Sequence, residues 1–192
     1  EIVERKGLGH PDSICDAVMD SISVRLSEEY LQEFGEILHH NIDKCLLVAG
    51  EVTGIFGGGM VVDPMLMVIG DRATFSVEGK EIDVDNIAMD TSRRWFDENL
   101  RFVEPEFMEY QVELKPGSAE LTDIFRRKGE ILGSNDTSAA VGYAPLSFTE
   151  RMVLDTEKYL NSSDFKEEHP ESGEDVKVMG VRKGSELDLT VA

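Results

Sequence analysis

From Ser13 to Phe34 the apolar residues Ile14, Val18, Ile22, Leu26, Tyr30 or Leu31, and Phe34 recur every three to four positions. That spacing predicts an amphipathic helix, with Asp12 at its N-cap after Pro11 and Gly35 at its C′ position. Lys44 to Val52 and Met65 to Ile69 read as strands, and Ala73 to Val84 as a hairpin turning at Glu78-Gly79-Lys80. A second helix is expected from about Asn86 to Leu100, with Ile87, Thr91 and Trp95 on one side. Met108, Tyr110, Val112 and Leu114 alternate with Glu109, Gln111 and Glu113, the pattern of a half-buried strand. A short segment at Ala119–Arg127 and a polar loop follow. Ser147-Phe148-Thr149-Glu150 then carries a capping-box signature for a third helix to about Leu160. Residues 161–175 have the composition of a loop, and Val176 to Val181 would pair with Leu187 to Val191 across Arg182–Ser185.

Strands in hairpins, separated by single helices, predict an α+β fold with an antiparallel or mixed sheet rather than a doubly wound one. The chain starts at Glu1 without Met and stops in an alternating strand pattern, so a piece of a longer protein is expected.

Composition narrows the function. Of 192 residues, 39 are acidic and 19 basic, a net charge of −20. General nucleic-acid affinity needs clustered cations and is not expected. Any polyanionic ligand must be held by a local exception to that sign. So acidic a surface also suits high intracellular salt, which would screen its self-repulsion. At 41% hydrophobic the chain can still build a core. Its longest apolar runs are strand-length, short of the roughly 20 residues a membrane span needs. Cys15 and Cys45 cannot form a disulfide framework; as small side chains in apolar patterns they fit a reducing cytosol.

Four segments could carry chemistry. In Glu4-Arg5-Lys6-Gly7-Leu8-Gly9-His10-Pro11-Asp12-Ser13, two glycines allow close approach of a ligand to the backbone, and a helix mouth favours anions. It is neither a Rossmann fingerprint nor a Walker A loop. By residue type alone, Asp12 fits an N-cap or a magnesium ligand, and His10 a packed or a functional residue. Gly133-Ser134-Asn135-Asp136-Thr137-Ser138 can bind a polar ligand or build Asx turns. Gly57-Gly58-Gly59 reads as a mobile loop, and Lys115-Pro116-Gly117-Ser118 as a turn with a possible phosphate or ribose contact. His39 and His40 would face opposite ways on a strand, and His169 sits in an acidic loop, so zinc is not expected.

Taken together and in order, these blocks resemble the archaeal-type S-adenosylmethionine synthetases. The resemblance runs from Glu4-Arg5-Lys6-Gly7-Leu8-Gly9-His10-Pro11-Asp12-Ser13-Ile14-Cys15-Asp16 through Ile37–Asn41, Phe56–Gly59 and Gly70–Thr74. It continues through Asn135–Ser138, Gly142–Ser147 and Glu174–Gly180, nearly the whole chain. It implies a fold of similar helix-plus-sheet units: 1–134 as a first unit carrying the glycine loop, and 142–192 as the start of a second. The chain would stop after about one and a half units and be inactive alone. It also implies a reaction: methionine sulfur attacks C5′ of ATP, and the displaced tripolyphosphate is hydrolysed to phosphate and diphosphate.

By resemblance, His10 and Lys177 are catalytic residues on the triphosphate, Asp12 is the magnesium ligand, and Gly117 and Ser118 contact the nucleotide. Asp136 would serve the ribose or the methionine amino group, and Glu51 would bind methionine. The implied cofactor is Mg2+, with room for K+, although the bacterial potassium-site glutamate has no clear match near His39–His40. The implied partners are ATP, L-methionine and a second copy of the chain, with the active site between subunits, in the cytoplasm, without nucleic acid or membrane. Ser13 stands where bacterial and eukaryotic members carry Lys, so that cation must come from elsewhere. Two other classes remain open from the residues: a non-catalytic nucleotide-binding or assembly module, and a magnesium-dependent nucleotide or polyphosphate phosphohydrolase.

Overall fold

The computed structural model describes residues 1–117 and 141–192. They fall into two compact units, Glu1–Ile14 with Ser134–Ala192, and Cys15–Gly133. The first fourteen residues therefore group with the C-terminal stretch and not with the expected unit 1–134. The cause is a strand that the apolar pattern does not announce. β1 (Ile2–Lys6) runs antiparallel to β9 (Lys177–Lys183), with Ile2 opposite Val181 and Lys6 opposite Lys177.

In the first unit, β10 (Glu186–Val191) completes a three-stranded antiparallel sheet in the order β1-β9-β10. Helix α3 (Phe148–Leu160) packs on β1 and β9, where Val153 meets Val176 and Val178, flanked by Val3 and Leu160. A Cβ at Gly180 would stand 2.6 Å from the Val153 Cγ2, so a glycine is what lets the helix seat. The capping box forms as expected: Ser147 Oγ accepts the Glu150 N–H at 3.1 Å, and Glu150 Oε2 accepts the Ser147 N–H at 2.6 Å. The expected loop 161–175 contains a short helix, α4 (Ser163–Glu168), capped by Ser162. At six residues it is too short to print an apolar period.

In the second unit, the buried column of α1 (Pro11–Phe34) is Val18, Ile22, Leu26 and Tyr30. Tyr30 is fully buried and Leu31 is 49% exposed. The Tyr30 hydroxyl donates to the Thr74 carbonyl at 2.8 Å and accepts the Thr74 N–H at 3.2 Å, which lets a polar atom sit in that core. β2 (Asn41–Val48), β5 (Met65–Ala73) and β8 (Met108–Pro116) form the mixed sheet, β2 antiparallel and β8 parallel to β5. Helix α2 (Val84–Asn99), capped by Asp83, packs on β8 and buries Ala88, Trp95 and Phe96. Glu78 and Gly79 make the tight turn between β6 (Ser76–Val77) and β7 (Lys80–Glu81), both at positive φ.

The triple glycine differs from its expectation as a mobile loop. β3 (Glu51–Ile55) and β4 (Gly58–Asp63) form a hairpin turning at Phe56-Gly57, and Gly58 and Gly59 pair with Ile55 and Gly54. The segment expected at 119–127 lies outside the described residues. Among the described residues, no helix is long and apolar enough to cross a membrane.

Candidate active site at the start of helix α1

β1 delivers the chain to the glycine loop, and the loop is stitched to the segment that precedes β9. The Gly7 N–H donates to the Val176 carbonyl at 2.8 Å and the Gly9 N–H to the Glu174 carbonyl at 3.1 Å. A Cβ on Gly7 would stand 2.7 Å from the Val176 oxygen; one on Gly9 would stand 2.3 Å from the Glu174 carbonyl carbon. The space read from sequence as room for a ligand is thus filled by the chain itself. Neither glycine has positive φ, so close approach and not a special turn requires them.

The helix cap is His10, one of the loop residues, and not Asp12. The His10 carbonyl accepts the Ile14 N–H at 2.9 Å, and its Nδ1 accepts the Asp12 N–H at 3.2 Å. Pro11 then takes the first helical position, where a missing N–H costs nothing. With Nδ1 accepting, a neutral His10 carries its proton on Nε2, where it can be donated to a ligand.

Freed from the cap, the Asp12 carboxylate takes a hydrogen bond from Lys6 Nζ. That bond and the Lys6 charge hold the Asp12 carboxyl below its ordinary value, with His10 and Lys177 adding to the effect. Lys177 lies opposite Lys6 across the strand pair, and its ammonium is 3.2 Å from Glu4 Oε2. Directly paired strand residues share a face of the sheet. The start of α1 therefore gathers Lys6, His10 and Lys177 with two carboxylates, Asp12 on Lys6 and Glu4 on Lys177, a cluster of cations on an otherwise acidic surface.

Lys6, one of the two cations that precede the glycines, was assigned no role from the sequence. Read as a strand, Glu4-Arg5-Lys6 places Glu4 and Lys6 on one face, and that was the available signal.

Of the remaining candidates, Glu51 is exposed at the start of β3, opposite Asp63, and Gly117 follows β8; both belong to the second unit. Ser118 and Asp136 lie outside the described residues. Among the described residues no three His, Cys, Asp or Glu side chains gather as a metal group. A single exposed, ionised Asp12 nevertheless fits magnesium, which takes one or two carboxylates and fills its shell with water and phosphate oxygens.

The model of the S-adenosylmethionine synthetase (AdoMet synthetase) family matches residues 1–192. The chain belongs to that family. It is 47% identical to a probable S-adenosylmethionine synthase of Aquifex aeolicus and 46% identical to an S-adenosylmethionine synthase of Methanothermobacter thermautotrophicus. All of this chain aligns in both cases, with 49% and 48% of the relatives' lengths. The chain thus spans about half the length of the curated relatives it matches. Among solved structures, an unusual S-adenosylmethionine synthetase from Campylobacter jejuni aligns with TM-score 0.50 at 18% identity. It covers 97% of this chain and 43% of that one, a likeness of fold. The expected α+β synthetase fold is the one observed.

Proposed function

We propose that this chain supplies the triphosphate-binding part of a methionine adenosyltransferase. The observation that carries the reading is the convergence of Lys6, His10, Asp12 and Lys177 at the start of α1, in a chain of this family. In the reaction, a lone pair of the methionine sulfur forms a bond to C5′ of ATP. The C5′–O bond breaks, and its electrons leave on the tripolyphosphate, which is then hydrolysed to phosphate and diphosphate.

The sulfur is already a nucleophile, so the barrier lies in alignment and in the charge of the leaving group. His10 Nε2–H would donate to the oxygen that leaves C5′. Lys6 and Lys177 would neutralise the phosphates, and Lys6 would supply the cation for which Ser13 offers no lysine. Asp12 would hold magnesium, which when bound offsets further phosphate charge. Gly117 and Ser118 would contact the nucleotide, Asp136 the ribose or the methionine amino group, and Glu51 methionine.

The active site would be completed between two copies in a cytoplasmic homodimer. Supporting this, Ile55, Met60 and Val62 share one face of the β3–β4 hairpin and are exposed, an apolar patch that calls for a partner surface.

The test is product analysis with the full-length protein. S-adenosylmethionine formation that requires both ATP and methionine, and collapses in His10→Ala, is the expected result. Phosphate release from ATP without any effect of methionine would replace this reading with a phosphohydrolase.

A further inference from the structure

Glu157 is only 4% exposed on α3, the helix whose Val153 packs against Val176 and Val178. A carboxylate buried so deeply is costly unless it is paired and hydrogen-bonded. Its Oε2 accepts from Arg5 Nε at 3.0 Å, two residues before Gly7. Its Oε1 accepts from Asn161 Nδ2 at 2.9 Å, one helical turn on. The same Asn161 Nδ2 lies 3.5 Å from the Glu174 carbonyl, the group that receives the Gly9 N–H.

Gly7 is pressed against this pair. A Cβ there would stand 2.8 Å from Asn161 Nδ2 and 2.9 Å from Glu157 Oε1. Asn161 Oδ1 is buried and has no hydrogen-bond partner among the described residues. The amide is thus held by its donor end, and the Glu157 charge sets its orientation. The Gly7 carbonyl in turn accepts the His10 N–H at 3.1 Å, so the polar pair is two contacts from the histidine.

We propose that Glu157 and Asn161 are positioning residues for the triphosphate site. They fix the Gly7–His10 turn on residues 174–176, and so aim His10 at the leaving group. The proposal rests on the function proposed above.

The test is a double-mutant cycle in the full-length protein at saturating Mg-ATP and methionine. Asn161→Ala should lower kcat by about 10- to 100-fold, the scale of a misplaced catalytic group. The KM for methionine should stay within about twofold, because uniform substrate binding is untouched. Val153→Ala, which thins the same core without touching either loop, should lower Tm and leave the kcat of folded protein unchanged.

In a His10→Ala background, Asn161→Ala should cost nothing further, because it acts through that histidine. A full multiplicative loss in that background would overturn the proposal, as would wild-type kinetics for Asn161→Ala. A wild-type rate for His10→Ala itself would instead remove the reading of the site on which the proposal stands. Glu157→Gln keeps the shape and removes the charge; if Asn161→Ala fails to fold, the same cycle run with Glu157→Gln decides between these outcomes.

Discussion

Lys6 and Lys177 face each other across β1 and β9, and each ammonium is balanced by a carboxylate, Asp12 for Lys6 and Glu4 for Lys177. An incoming phosphate would compete with these two carboxylates for a pair of ammoniums that lie on one face of the sheet. Lys6→Met and Lys177→Met should each weaken binding of magnesium tripolyphosphate to the full-length protein by about 10- to 100-fold, the value of a charge-assisted hydrogen bond. Lys183→Met, at the far end of β9, should leave it unchanged. Equal weakening by all three would reduce the effect to net charge.

Gly9 is constrained by the stitched loop in a separate way. A methyl group there would lie 2.3 Å from the Glu174 carbonyl carbon, and the obstacle is backbone. Gly9→Ala should cost about 1–3 kcal/mol of stability, as overpacking does, and should abolish tripolyphosphate binding. A denaturant titration checks the first and calorimetry the second. Gly54→Ala, where a Cβ meets nothing within 4 Å, is the control.

A pH effect follows from Asp71, which has φ +113° and shares a hydrogen bond with Asp43. Burial, and then Asp43, push the Asp71 carboxyl up; the hydrogen bond with Asp71 and then Lys44 hold Asp43 down. The signs oppose. Asp71 contributes stability in acid that is lost as pH rises through its raised folded value. Asp43 contributes stability above its ordinary value that is lost as pH falls. Asp71→Asn keeps an acceptor for Asn41, which donates to Asp71 at 3.0 Å, and removes the repulsion. It should raise stability at pH 7 by about 0.5 kcal/mol, the scale of exposed charge pairs, and the gain should vanish near pH 3. A gain that persisted in acid would contradict the shared proton.

Cys15 and Cys45 are half-buried free thiols, close enough for Cys15 to influence the Cys45 thiol. Burial and the neighbouring Cys15 push the Cys45 thiol up to about 12. Because the thiolate is the nucleophile, iodoacetamide at pH 8 should modify Cys45 about 100-fold more slowly than an unhindered cysteine. Mass spectrometry of timed samples reads this directly. Labelling at the free-thiol rate would contradict the packing of Cys45.

What the sequence disclosed was local. The four-residue spacing in α1, the alternation in β8, the Ser147–Glu150 capping box and the Glu78-Gly79 turn each complete their pattern within a few neighbours. β1 did not, because its five residues are mostly charged and its partner β9 lies at the other end of the chain. The β3–β4 hairpin was hidden for another reason. Val52, Ile55, Phe56 and Met60 are all exposed, so no in–out alternation marks the strands. At the site, His10 and Asp12 could be read from the loop. The use of Gly7 and Gly9 against residues 174–176, the transfer of the cap to His10 and the place of Lys6 required the tertiary fold.

Everything proposed for the site depends on the leaving triphosphate lying at the start of α1. Calorimetric titration of magnesium tripolyphosphate into the full-length protein, with His10→Ala and Asp12→Asn alongside, probes that placement without intervening steps. Binding by the wild type should weaken at least about tenfold in both variants, since each loses a charge-assisted or metal-linked contact. Undiminished affinity in folded His10→Ala and Asp12→Asn proteins would contradict the placement.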